Sequence, residues 1–239
     1  MTKRSSEQIN INGIDIELIR SRRKSLSLEV GRQGIKARAP LRMSKKLVLA
    51  FIHSKQQWLD KQVNNRPAPI KEKQLISGAS LLFKSEPLKL NVIENQRGKA
   101  FIENDQLYLP VVKSNRPLES TIKTKLITWY KQQALEILEQ RIAFYAPLMN
   151  VERTYKQKVK VREYKRRWGS CDHQGSLSFN WRIIMAPNEV VDYVVIHELA
   201  HCHEFNHSKR FWNIVAGQMS DWKEKQNWLH INGGLLYEF

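Results

Sequence analysis

Hydrophobic positions change their spacing along the chain, and each change marks an element. Near the start, Ile14, Ile16 and Leu18 alternate with Asp15 and Glu17, the two-residue period of a strand with one buried face. Asn12-Gly13 just before them suits a type I′ hairpin turn, since both residues tolerate positive φ. Leu26, Leu28 and Val30 alternate next, residues 31–34 turn the chain into Ile35, Ala37 and Ala39, and Pro40 ends that strand. The period then lengthens. Ser44 can cap a helix reaching about Val63, with Leu47, Leu49, Phe51, Ile52 and Trp58 giving a mainly apolar face. Strands return at Leu81 to Phe83 and Leu88 to Val92, followed by a hairpin turning at Asn104-Asp105.

Asn115-Arg116-Pro117 is the expected boundary, because proline breaks the preceding strand and opens a helix at its first turn. That helix is predicted to run to about Tyr145 and to pack through Ile122, Leu126, Trp129, Tyr130, Leu135, Ile137, Leu138 and Ile142. Two strands follow: Val159 and Val161 alternate with Lys158, Lys160 and Arg162, and a second run spans Leu177 to Met185 after a turn at Gly175. A helix is expected from about Asn188 and a last one from near Ser208. The pattern predicts an α+β protein: a β-rich region 1–115 with one helix, then residues 116–239 with a long helix, a small antiparallel sheet and two further helices. No internal repeat is visible.

The net charge of +17 is the unusual compositional number. Residues 1–115 carry 22 Lys/Arg against 10 Asp/Glu, and residues 116–239 carry 18 against 13. A surplus of this kind favours loose attraction to nucleic acid or acidic proteins, with a merely solvated surface as the plain alternative. Lys and Arg cluster at Arg20 to Lys24 and Lys156 to Arg167. Two cysteines, Cys171 and Cys202, are too few for a disulfide framework and suit a reducing compartment. The first residues lack the apolar core of a signal peptide, and no apolar run approaches a membrane span. A cytoplasmic protein with no membrane partner is expected.

The chemistry lies in His197-Glu198-Leu199-Ala200-His201, with His207 six positions on. On a helix, positions i and i+4 stack on one face, so two imidazoles can reach one metal ion. Glu198 is offset by about 100°, too far round to be a ligand and yet within reach of a metal-bound water. Catalytic zinc takes three protein ligands and one water, and lowers the pKa of that water towards 7. His197, His201 and His207 are the expected ligands; Glu198 is the expected general base, taking the water's proton and later passing it to the leaving amine. Six residues past His201 is about 600° of rotation, so the helix must end before His207. Asn206 suits the turn, since Asn tolerates the left-handed conformation, and Ser208 can cap the next helix. Surface histidines are a poorer reading, because Val191, Val194, Val195 and Ile196 make the helix apolar just before the motif. Closed structural zinc sites prefer four Cys/His ligands; Cys202 is badly placed beside His201, and His203 and His173 read as packing or loop residues.

Further residues carry a resemblance. Trp168-Gly169-Ser170-Cys171, Asn180-Trp181-Arg182, Ala186-Pro187, Asp192-Tyr193-Val194-Val195, the histidine motif, Asn206-His207-Ser208 and Phe211-Trp212 follow at compact spacing. With Arg22 to Leu28 and Arg38-Ala39-Pro40 in the first part, they resemble the YgjP-like metallopeptidase family, related to SprT-like and Wss-type zincins. The resemblance implies a zincin-like minimal peptidase core in residues 116–239, Zn2+ on His197, His201 and His207, Glu198 as base, and a protein or peptide substrate. It also implies that a strand beside the active helix receives the substrate as an added strand, with Trp168 to Cys171 or Leu177 to Arg182 in that role. The histidine spacing is that of metzincins, but Glu204 stands at their glycine position, Met219 falls inside the expected last helix, and no oxyanion-stabilising residue stands out. A basic nucleic-acid-binding protein with a vestigial metal site is the alternative.

Overall fold

The fold is that of a computed structural model, which describes residues 5–31, 34–64, 73–152 and 156–237. Arg32 and Gln33 of the expected turn, and the side chains of Lys156 to Lys158, lie outside the described residues. The chain divides into two compact units, Met1–Lys71 and Glu72–Phe239.

In the first unit, β1 (Ser5–Ile11) and β2 (Ile14–Ser21) form a hairpin across Asn12 and Gly13, whose φ values are 52° and 80°. A second hairpin, β3 (Ser27–Gly31) with β4 (Gly34–Pro40), completes the order β1-β2-β4-β3, with β2 and β4 parallel. Its inner face, Ile16, Leu18, Ile35, Ala37 and Ala39, shares one core with Val48, Ile52 and Leu59 from the helices. Ser44 Oγ accepts the Leu47 N–H at 3.3 Å and starts the helix as expected. The expected single helix is two, α1 (Lys45–Ser54) and α2 (Gln56–Asn64), because the backbone breaks at Lys55. The break re-aims the second segment: Leu59 is buried, whereas Trp58 is 41% exposed.

The second unit opens with β5 (Ser80–Phe83), β6 (Glu86–Glu94), β7 (Phe101–Glu103) and β8 (Gln106–Val111) in the order β5-β6-β8-β7. Asn104 and Asp105 turn the β7–β8 hairpin at φ 49° and 56°. The 31-residue α3 (Leu118–Leu148) buries Ile122, Leu126, Trp129, Tyr130, Ala134, Leu138, Ile142 and Ala146. It shares a core with Leu107, Leu109 and Val111 of β8, and the Tyr130 hydroxyl donates to the Leu82 carbonyl at 2.8 Å. Asn115–Pro117 thus leads into a helix that shares its core with β8, while the two compact units meet at 71/72. Proline marks a change of element; only the shared core tells whether two elements separate.

The third sheet comprises β9 (Lys156–Arg162), β10 (Gly169–Cys171) and β11 (Ser176–Asn180) in the order β10-β11-β9. It is mixed where an antiparallel sheet was expected, with β11 parallel to β9. Residues 163–168 carry the chain to the far edge, and the β10–β11 hairpin then brings β11 back in the direction of β9. The run expected to extend to Met185 leaves the strand at Asn180, whose Oδ1 accepts the Arg182 N–H at 3.2 Å and starts a 3-10 turn over Trp181–Met185.

Next come α4 (Asn188–Ala200), α5 (Lys209–Gln218) and α6 (Trp222–Asn232). The expected last helix is thus two, and Met219 lies just beyond the end of α5. From Val190 to Ile196 every residue of α4 is buried, the mark of a helix packed on all sides. Its one buried carboxylate in that stretch, Asp192, accepts two hydrogen bonds from Arg141 of α3, one of them 2.6 Å, and one from the Tyr145 hydroxyl at 3.2 Å. No described helix is long and apolar enough to cross a membrane.

Candidate metal centre

Helix α4 ends at Ala200, and His201 follows in right-handed geometry with φ −65° and ψ −17°. The Cys202 N–H bonds the Leu199 carbonyl, and the His203 and Glu204 N–H groups both bond that of Ala200, each at 3.0 Å. These bonds tighten the helix end and reverse the chain. Asn206 does not take the expected left-handed conformation. Instead the Ser208 N–H closes on the Asn206 carbonyl at 2.7 Å, a three-residue turn centred on His207. Ser208 Oγ then accepts the Phe211 N–H at 3.4 Å and starts α5.

This route brings His207 back to the helix. Ligand nitrogens of His197, His201 and His207 all lie within 4.8 Å of one another, an arrangement able to hold a metal ion. His197 Nε2 and His207 Nε2 are 3.0 Å apart. Two zinc–nitrogen bonds of about 2.0–2.1 Å at a tetrahedral angle would separate their nitrogens by about 3.3 Å. At His201, Nδ1 lies 3.1 Å from the Glu204 carbonyl, which can only accept; Nδ1 therefore carries the hydrogen and Nε2 keeps its lone pair. His197 Nδ1 is buried with no hydrogen-bond partner among the described residues. Burial pushes the His197 pKa down to about 3, with His201 and His207 adding to the effect, and burial also lowers that of His201. Both rings are neutral at neutral pH, the form that ligates a metal. The donor set fits the implied ion.

Packing holds the cluster. The ring of Phe211, fully buried, lies 4.9, 4.6 and 4.7 Å from those of His197, His201 and His207. Trp212 reaches His197 and His207 at 5.8 and 5.7 Å and stacks on Trp222 at 4.2 Å. The first apolar pair of α5 therefore forms the platform under all three imidazoles. The other two histidines near the motif are engaged elsewhere. His203 Nε2 donates to the Met149 carbonyl at 2.7 Å, and His173 packs on Phe205 at 4.4 Å.

Glu198 is 5% exposed. Burial pushes its carboxyl up to about 8, against the opposing effects of the Arg167 charge and a hydrogen bond from the Cys171 N–H. Strand β10 lies close against it: a Cβ on Gly169 would stand 2.6 Å from Glu198 Cγ and Oε1. Only glycine fits there. Beside this contact a cleft of about 350 Å³ opens, walled by Trp168, Tyr193, Val194 and Leu229, with Arg167, Gln226 and His230 at its polar side.

Residues 163–168, which carry Arg167 and Trp168, are anchored by Asn180. Its amide donates to the Tyr164 carbonyl at 2.9 Å and to the Tyr237 hydroxyl at 2.7 Å, and Tyr237 in turn donates to the Tyr164 carbonyl at 2.7 Å. Arg182 pairs with Glu163 at 3.0 Å and lies 4.1 Å over Trp181. Gly233 leaves room for Trp168, whose Cζ2 would be 2.9 Å from an added Cβ.

Residues 24–232 match the model of the YgjP-like, metallopeptidase domain. The chain belongs to the YgjP-like metallopeptidase family. Membership covers both compact units and makes a protein or peptide the substrate class and a divalent metal the implied cofactor. No curated protein matches the chain. Among solved structures, the metallopeptidase zymogen of Pyrococcus abyssi abylysin is similar at 23% identity over 43% of this chain and 94% of that one, with a TM-score of 0.34. Phe211, Gly169 and Gly233 are the site residues that sequence pattern alone did not single out for their roles. A Cβ clash leaves no trace in a single sequence, and Phe211 reads there as one more apolar residue.

Proposed function

We propose that this YgjP-like domain is a zinc-dependent peptidase in which His197, His201 and His207 hold the metal and Glu198 is the general base. One observation carries the reading: three imidazoles converge within 4.8 Å beside a carboxyl that is buried yet borders an open cleft. Zinc held there would polarise a water and the substrate carbonyl and, by its charge, favour the ionised form of Glu198. Glu198 takes a proton from the attacking water and delivers it to the amine nitrogen of the departing product. Of the two strands expected to receive substrate, β11 has neighbours on both sides, whereas β10 is paired on one side only. Ser170 of β10 exchanges bonds with Ser178, since 168 pairs with 180 and 172 with 176; the backbones of Gly169 and Cys171 therefore face away from β11, and the Cβ side of Gly169 lies against Glu198. An extended peptide adding to that edge would pass the Glu198 carboxyl, and the neighbouring cleft would take one of its side chains. The test is zinc content by elemental analysis together with peptide hydrolysis by wild type and Glu198→Gln. Zinc below half an equivalent in unchelated protein, or equal rates for the two proteins, would sink it.

A second reading, polyanion binding by the first unit, rests on charge. Residues 1–71 hold 16 Lys/Arg against 5 Asp/Glu, a surplus of 11 out of the total of 17. Several of these cations have partners, among them Lys36 with Glu17, Arg38 with Glu29, Lys45 with Glu7 and Arg20 with the Met43 carbonyl, and these contacts leave the surplus of 11 unchanged. Binding to DNA or RNA that falls steeply between low and moderate salt would support it, and a flat profile would remove it.

A further inference from the structure

The metal, the base and the cleft leave two reactive groups unused. Cys171 ends β10 and Cys202 lies two residues past the end of α4, 31 positions later, and they are the only two cysteines of the chain. Their sulfur atoms lie 3.9 Å apart, and both residues are half-buried, within reach of a small solute. Each sits close to the proposed chemistry: Cys171 is two residues past Gly169, which packs against the Glu198 carboxyl, and Cys202 adjoins His201. Neither sulfur belongs to the three-histidine cluster.

Disulfide sulfurs stand about 2.05 Å apart, so bonding requires an approach of about 1.9 Å, which side-chain rotation and a small shift of an edge strand can supply. Such a shift has a consequence at the site. Gly169 already approaches Glu198 so closely that no Cβ fits between them, so drawing β10 towards the end of α4 displaces the carboxyl it touches. We infer that Cys171 and Cys202 form a thiol modification site that hydrogen peroxide oxidises to a disulfide, and that closing it disables hydrolysis at the neighbouring site.

The chemistry balances with the peroxide as oxidant. One thiol sulfur attacks the peroxide; the O–O bond breaks, an S–O bond forms, and the products are a sulfenic acid and water. The second sulfur displaces the hydroxyl from the first; the S–O bond breaks, the S–S bond forms, and a second water carries away the remaining proton. Two electrons pass from the dithiol to the peroxide, and a dithiol reductant returns them. The regulatory half of the inference rests on the peptidase reading, while the thiol half does not.

The test uses the full zinc-loaded chain, reduced, freed of reductant and treated with hydrogen peroxide in a few-fold excess. Intact mass after alkylation in denaturant reports the thiols, and peptide hydrolysis and zinc content are measured on the same samples. The expected result is loss of about 2 Da with both alkylations blocked, a peptide map joining Cys171 to Cys202, a fall in rate of about tenfold or more from the displaced carboxyl, and full recovery with dithiothreitol. Cys202→Ser should lose less than about twofold under the same dose, its remaining thiol having no partner for closure. Both thiols alkylated after peroxide, a disulfide only between chains, or sulfinic and sulfonic products in place of the bridge would overturn the site. A bridge that leaves the rate unchanged overturns the switch, as does a rate loss equally large in Cys202→Ser. No hydrolysis even in the reduced wild type would refute the peptidase reading, while the mass and peptide map still decide the thiol site. Should Cys202→Ser fail to fold, Cys171→Ala serves as the unbridgeable control.

Discussion

The first unit and the front of the second are built on separate sheets of the same strand arrangement. Each has two hairpins whose second strands pair in parallel, β1-β2-β4-β3 in one and β5-β6-β8-β7 in the other. Their fates differ in what covers them. The first sheet is closed by two short helices, and its core comprises, among the described residues, ten buried ones from Ile9 to Leu59. The second is covered by α3, long enough to share a core with the 3-10 turn, the third sheet and α4 as well. Charge divides along the same line, with a surplus of 11 in residues 1–71 and of 6, from 24 Lys/Arg against 18 Asp/Glu, in residues 72–239. A shared strand order thus says nothing about chemistry; the reactive groups arrive with the helix that the longer α3 allows to be buried.

That comparison can be broken by experiment. The largest effect is expected at Glu198→Gln, which should lower kcat by about 10³-fold with zinc retained, the usual scale for a lost general base; a loss of under tenfold would remove the chemistry from α4. Phe211→Ala should destabilise the second unit by about 3–5 kcal/mol and weaken zinc retention, because it removes the platform shared by all three imidazoles. Chemical denaturation and dialysis against chelator measure both, and unchanged zinc affinity would show that the histidines hold themselves.

The next effect is a pH dependence of the metal-free protein. Glu198 has a folded pKa raised to about 8 from an ordinary 4.5, so the folded state binds its proton more tightly than the unfolded chain. This stability is fully present below about pH 4.5 and is lost as pH rises through 8, on the order of a few kcal/mol. Thermal unfolding in chelator should therefore show a fall between pH 6 and 9 in wild type, and a clearly smaller one in Glu198→Gln. Equal slopes would mean that the carboxyl is not buried. The smallest effect belongs to the first unit: Ser44→Ala should cost about 1 kcal/mol as a lost helix cap and leave zinc content and hydrolysis untouched. A drop in activity there would show that the two units are coupled.

Much of this architecture is legible in the order of the residues. The turns at Asn12-Gly13 and Asn104-Asp105, the caps at Ser44 and Ser208, and the extent of α3 follow from local stereochemistry and period, which act over a few residues. The break at Lys55 and the end of β11 at Asn180 are not legible there, since neither residue type forbids continuation. Nor is the division into compact units at 71/72, because Pro117 changes the element while the core continues across it.

The sequence by itself determined that His197 and His201 share a helix face with Glu198 turned aside, and that a helix end must precede His207, because helical rotation per residue leaves no other choice. The tertiary structure alone decided how His207 returns: by helix-end hydrogen bonds and a three-residue turn, with no left-handed Asn206. It alone set Phe211 beneath the three rings, Gly169 against Glu198, and Cys171 within 3.9 Å of Cys202. Such contacts join residues from separate elements, and their distances depend on how those elements pack, which no local pattern records.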